Sequence, residues 1–361
     1  MSSLSSKPPS SRRQIYLAFS SKQPDRNTSS SNWLSRFDPD NNSWSFASSI
    51  PGLLENQVLK DFAMTSIGES IYIIGGRLCR EDKNLVLSDE SSDAAVHVRR
   101  EVLRYDAASD QWSVCAPLNL PRYNFACTVC NNRIYIAGGQ YEVASARSTS
   151  SVEMYDPTVG EWSQLPDLKR RRYKSVGVTW QGKVYVVGGF VEGCDDVDNS
   201  IAYVGRCSAE VYDEQGEVWD LVRGMWQLDV PPNQIVHVEG RLFSSGDCLN
   251  AWKGHIEVYD GCLWNVVENS QLKSFVGFSG GRRPMQRLYI TVAPIGHYLY
   301  FLSGYKLLNG DILCGGAISM VHRFDTKAKE DAWTGFDPAL TEEGEVELCS
   351  HCCVVEFMLD K

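Results

Sequence analysis

Short apolar runs ending on two glycines punctuate this chain. IYIIGG (residues 71–76), IYIAGG (134–139) and VYVVGG (184–189) each place aliphatic, Tyr, aliphatic, aliphatic before the pair. A run this short, stopped by glycine, predicts a β-strand whose end needs positive φ or close backbone approach. Another strand-like run precedes it, as in FACTVCNNRIYIAGG (125–139), so hairpins are expected. Degraded copies stand at IYLAFSS (15–21), LFSSGD (242–247) and YFLSGY (300–305). The phrase is therefore read six times.

A second phrase follows each copy: an aromatic residue, Asp, a turn and Trp. FDPDNNSW (37–44), YDAASDQW (105–112), YDPTVGEW (155–162) and YDEQGEVW (212–219) keep Asp and Trp six residues apart. YDGCLW (259–264) shortens the turn by two and FDTKAKEDAW (324–333) lengthens it by two. The Asp side chain can bond its own backbone to fix a turn, while the flanking aromatics fill the wedge between sheets. The small pairs recur roughly every 50 to 60 residues, a period that belongs to stacked repeats.

On these residues the chain resembles the kelch-repeat β-propeller family over nearly its whole length. The resemblance implies an all-β, six-bladed propeller with four antiparallel strands per blade. One blade cannot bury both faces, so the blades must stack in a ring. The first repeat lacks the strand that precedes the others, and HCCVVEFM (351–358) is left over after Trp333. That last run is expected to become the innermost strand of the N-terminal blade, closing the ring without a free edge. The organisation read from this is a flexible Ser/Pro-rich leader over 1–13 and one propeller over 14–361, with no room in front for an F-box or BTB domain.

Composition narrows the function classes. Hydrophobic residues make up 43% and charged residues 22%, with a net charge of -10. An acidic chain offers no broad cationic surface to phosphates, so no nucleic-acid partner is expected. No apolar stretch approaches the roughly 18 residues of a membrane span and the start lacks an apolar signal core, so no membrane contact is expected and the location is read as cytoplasmic or nuclear. In a reducing compartment the twelve cysteines are small buried hydrophobes rather than a disulfide frame.

Cys127 and Cys130 form CxxC, and Cys349, His351, Cys352 and Cys353 form CSHCC. Both lie in strand-like sequence, where residues three apart face opposite ways, so no metal site is assigned. The six histidines show no series resembling the iron motif of the nitrile-specifier proteins, which are kelch enzymes. No cofactor is expected.

Kelch domains commonly bind partners through the loops after the second strand and between blades. The resemblance carries this over to five residues that follow the small pairs, Arg77, Gln140, Phe190, Asp247 and Tyr305. In the blade-to-blade turns, kelch adaptors that read acidic peptides carry basic residues. Lys174 falls at such a position, and Asn124 takes the place of the base in the neighbouring turn. Lys169, Arg170, Arg171, Arg172 and Lys174 form the densest positive run. Connections over 77–100, 190–207 and 305–316 exceed the length usual for plain loops. The expected function is recognition of an acidic protein partner of the ubiquitin pathway or a scaffold. The alternative is a pocket enzyme, of lyase, isomerase or specifier type, acting on a small molecule.

Overall fold

The computed structural model describes residues 11–21, 32–54, 57–80, 94–144, 147–192, 205–228, 230–246, 252–271, 285–307, 317–341 and 346–358. Strands account for nearly all their regular structure. Six antiparallel sheets of four or five strands follow one another along the chain. The third is typical, with Ala126–Cys130, Arg133–Ala137, Val152–Asp156 and Glu161–Leu165 in order from inside to outside. The second begins at Ala63–Ile67, the fourth at Val176–Trp180, the fifth at Ile235–Val238 and the sixth at Met285–Ile295. In the first sheet, Cys353–Met358 pairs with Ser11–Ser21 from Tyr16↔Cys353 to Ser11↔Met358.

These innermost strands touch in sequence. Cys353–Met358 meets Ala63–Ile67, contact passes through Ala126–Cys130, Val176–Trp180, Ile235–Val238 and Met285–Ile295, and the last returns to Cys353–Met358.

The glycine pairs satisfy both expectations at once. Gly75 and Gly76 have φ of 60° and 92°, and Gly138 and Gly139 repeat this at 66° and 92°. A Cβ on Gly75 would lie 2.6 Å from the Arg122 carbonyl of the next sheet. In these two pairs the second glycine donates its N–H across the same gap, Gly76 to Arg122 O at 2.9 Å and Gly139 to Arg172 O at 2.8 Å. The pair is thus a clasp between sheets, which only glycine permits.

The aromatic-Asp units build identical corners. Phe37–Trp44, Tyr105–Trp112, Tyr155–Trp162, Tyr212–Trp219, Tyr259–Trp264 and Phe324–Trp333 pack with ring centroids 5.0 to 5.3 Å apart. Indole N–H groups reach the preceding sheet, Trp162 to Ala116 O at 2.9 Å and Trp219 to Pro166 O at 2.9 Å. Each Asp accepts from the backbone of its turn, Asp156 from Thr158 N–H at 2.9 Å and Asp260 from Cys262 N–H at 2.7 Å.

Bonds from the Thr158 hydroxyl and backbone, then Arg133, hold the Asp156 carboxyl at about 2. A depressed carboxyl pKa adds stability above its unfolded value of about 3.9, and that stability is lost as pH falls through the folded value. Asp156→Asn should therefore flatten the dependence of Tm on pH in that acid window and leave the neutral slope unchanged. A full acid slope in the variant would show that the turn carboxylate is not a source of it.

Two boundaries differ from expectation. The first strand starts at Ser11 rather than at 14, because Arg13 pairs with Glu356 at 2.9 Å and Arg12 with Asp38. The connection after Gly76 is not a bare loop: Arg77–Arg80 lies between Gln57–Lys60 and Ala94–Val98 in a three-stranded sheet.

Candidate functional site

The described residues cover the start of the glycine-pair rim on the second, third and fourth sheets. Asp61, Asn124 and Lys174 occupy matching positions before the inner strands, with φ of 55°, 54° and 51°. This left-handed backbone is uncommon for residues other than glycine, and a relay of hydrogen bonds supports it. Asn124 N–H donates to Asp61 O at 3.1 Å, and Lys174 N–H to Asn124 O at 2.7 Å. Just past the glycine pairs, Arg77, Gln140 and Phe190 register with Lys60, Tyr123 and Tyr173. Each sheet therefore presents a matched pair above its clasp.

The side chains at these positions behave differently. Arg77 Nε donates to Asp61 Oδ2 at 2.5 Å, and its guanidinium carbon sits 5.4 Å from the Tyr123 ring centroid. Burial opposes its charge, but Asp61 outweighs that and raises the Arg77 pKa. Asn124 Nδ2 donates to Gln140 Oε1 at 3.1 Å, and Gln140 is buried. Phe190 packs on Tyr173 with centroids 5.3 Å apart. Lys174 is exposed at the mouth of the channel.

Tyr305 does not belong to this rim. It is 7% exposed in the long strand Tyr298–Leu307, registered between Arg287 and Ile318, because the sixth sheet continues past the level where the others stop. Asp247 lies outside the described residues.

The basic run also comes apart. Lys169 Nζ pairs with Asp220 at 3.3 Å on the surface, whereas Arg172 is fully buried against Glu210 at 3.0 Å. Arg172 further donates to Gly188 O at 2.8 Å and Ser208 O at 3.3 Å. Arg122 repeats the arrangement one sheet earlier with Glu153 at 2.6 Å and the carbonyls of Gly138 and Ser151. Adjacent positive charges in sequence thus have opposite fates. The signal for this was the recurring Arg-Tyr two residues before Asn124 and Lys174.

Below the rim, the inner strands of all six sheets line a channel cavity of about 790 Å³ that includes Asp61, Asn124, Lys174, Asn233, His351 and Cys352. His351 opens onto it, and the surrounding protein lowers its pKa to about 4 while the Asn233 backbone works the other way. At neutral pH the imidazole is uncharged. Burial pushes Cys127 up to about 12 and Cys352 up to about 11, so both are thiols. Cys127 and Cys130 of the CxxC pack against different core clusters. Among the described residues no three His, Cys, Asp or Glu side chains converge as a metal site, and no helix is long and apolar enough to cross a membrane.

Residues 121–169, which hold the Arg122–Glu153 pair and one clasp, match the Kelch motif family. Kelch repeat and BTB domain-containing protein 12 of Homo sapiens is 31% identical over 108 residues, 30% of this chain and 15% of that protein. An F-box/kelch-repeat protein of Arabidopsis thaliana is 26% identical over 126 residues, 35% of this chain and 31% of that protein. Kelch-like protein 15 of Mus musculus is 29% identical over 118 residues, 32% of this chain and 16% of that protein. The chain spans less than a third of the length of these relatives. The solved structure of YjhT aligns with a TM-score of 0.55 at 13% identity, covering 84% of this chain and 91% of that one, which shows a shared fold. The chain carries the kelch motif and is related to kelch-repeat proteins.

Proposed function

We propose that the chain is a single six-bladed kelch propeller, closed by its C-terminal strand, that recognises an acidic segment of a protein partner at the mouth of its channel. The observation that carries this reading is Lys174, whose main chain is held by the rim relay while its side chain stands exposed beside Asn124 and Tyr173. With the main chain already ordered, binding costs the rotamer freedom of the side chain alone, and the ammonium makes charge-assisted bonds to a carboxylate. The kelch-repeat relatives support a binding role, and the setting proposed is a ubiquitin-pathway or scaffold assembly in the cytoplasm or nucleus.

Arg77 is a weaker candidate than Lys174, since its guanidinium already serves Asp61 and Tyr123. The test is a random-peptide display selection with the wild-type protein and with Lys174→Glu. The wild type should enrich acidic peptides. Charge reversal should weaken a selected peptide about 10- to 100-fold, the equivalent of one charge-assisted bond of roughly 1.5 to 3 kcal/mol, and leave Tm nearly unchanged. Undiminished binding by Lys174→Glu would remove the site from this sector.

A second reading is favoured by the channel cavity, whose volume of about 790 Å³ falls in the range of small-molecule sites. There the uncharged His351 would serve a metal-free pocket enzyme of the isomerase type. A metabolite that raises Tm, together with no enriched peptide, would decide for it.

A further inference from the structure

On the rim opposite the glycine pairs, where the Asp-led turns lie, a cleft of about 300 Å³ opens between the third and fourth sheets. Cys130, Tyr135, Gly182, Tyr212 and Glu214 line it. Repeat register shows why it exists. Cys130 ends the inner strand Ala126–Cys130 as Trp180 ends Val176–Trp180 one sheet further on.

In that next notch the Trp180 ring sits 5.6 Å from Tyr185 and 5.7 Å from Tyr259, and its indole N–H donates to Gly240 O at 2.7 Å. Every partner has a counterpart around Cys130. Tyr135 matches Tyr185 in the second strand, Tyr212 matches Tyr259 before the Asp, and Gly182 matches Gly240 in the turn with φ of 73° against 83°. Cys130 Sγ, 3.5 Å from Gly182 O, reaches toward the same carbonyl with a far smaller side chain.

The two tyrosines add an independent sign. Tyr135 and Tyr212 are 4% and 6% exposed, and neither hydroxyl has a hydrogen-bond partner among the described residues. Two counterparts of Tyr212 are bonded, Tyr105 to Asp110 at 2.8 Å and Tyr259 to Gly261 O at 2.9 Å. Neither hydroxyl is among the fully buried polar atoms that lack a partner, so both open onto the cleft, where they are available to a ligand. Burial, and then Glu214 for Tyr135 and Glu217 for Tyr212, raises both phenol pKa values and keeps the protons in place.

We propose that this cleft binds a flat aromatic group bearing an N–H donor, an indole-like ring seated between Tyr135 and Tyr212 with its N–H on the Gly182 carbonyl. Such a ring could come from a free small molecule or from an exposed Trp of a partner. The site lies on the far rim from Lys174, so it stands or falls independently of the acidic-partner reading.

Indole, 1-methylindole and the tripeptide Gly-Trp-Gly serve as probes, titrated into the full chain by calorimetry and ligand-observed NMR. Indole should bind. 1-Methylindole, which lacks the donor, should bind about fivefold more weakly, the worth of one neutral hydrogen bond of about 1 kcal/mol. Cys130→Trp should supply the ring from within, keep a Tm at or above that of the parent and no longer bind indole. If that variant does not fold, Cys130→Leu provides a smaller filler that should weaken indole. Tighter binding of the tripeptide than of indole would assign a partner's Trp, and the reverse a free aromatic molecule. No binding of indole by the wild type, equal binding by the filled variant, or equal binding of 1-methylindole would overturn the proposal.

Discussion

Removing residues 351–361 is expected to abolish the cooperative unfolding transition of the whole molecule. The deletion takes away Cys353–Met358, which pairs with Ser11–Ser21 through six residue pairs and buries Cys353 and Val355. It also removes a bond that ties the first sheet to the second, Ser66 Oγ–H to Val354 O at 2.7 Å. Each large apolar side chain returned to water costs about 1.5 to 3 kcal/mol. The strand covers Tyr16, Met64 and Ile71 in one core cluster, so several such terms fall together against a total stability of about 5 to 15 kcal/mol. An unpaired edge facing the channel would then favour aggregation. Circular dichroism melts with light scattering give the check. A truncated chain that melted cooperatively at the parent temperature would mean that the C-terminal strand is dispensable.

Breaking one of the two ion pairs that are fully buried among the described residues should be the most damaging single change. Glu210→Ala leaves the Arg172 guanidinium fully buried with two carbonyls and the Ser208 hydroxyl but no counter-charge. Burial already lowers the Arg172 pKa despite Glu210, which measures how strongly the site resists charge. Loss of one partner of such a pair costs about 3 to 5 kcal/mol. Glu153→Ala should behave alike, because Arg122 is held in the same way. The double change Arg172→Met with Glu210→Leu should recover much of the loss, since an apolar pair carries no desolvation penalty. Lys169→Ala removes only the exposed pair with Asp220 and should cost under about 1 kcal/mol. Urea midpoints separate these cases. A Glu210→Ala midpoint close to that of Lys169→Ala would show that the buried pair is not structural.

The rim was legible only in part. Matching positions after each glycine pair could be counted along the chain, and the structure does bring Arg77, Asn124, Gln140, Lys174 and Phe190 to one sector. What each side chain faces could not be counted. Gln140 turns inward to Asn124, Arg77 is taken up by Asp61, and Tyr305 is sealed by strands that extend past their repeat length. The opposite cleft was silent in sequence, because Cys130 reads as an ordinary strand residue until it is superposed on Trp180.

The sequence by itself determined the repeat: where the glycine-ended strand of each unit falls, where each Asp turns the chain, and which Trp fills each corner. These depend on contacts within one unit of about 50 residues, and local spacing encodes them. Tertiary structure alone decided which charges are buried and which are free. Arg172 and Lys174 stand two residues apart, yet one meets Glu210 and the Gly188 carbonyl while the other meets solvent at the channel mouth. Those partners are brought together only when the sheets pack side by side, and burial between them sets the energy of each charge.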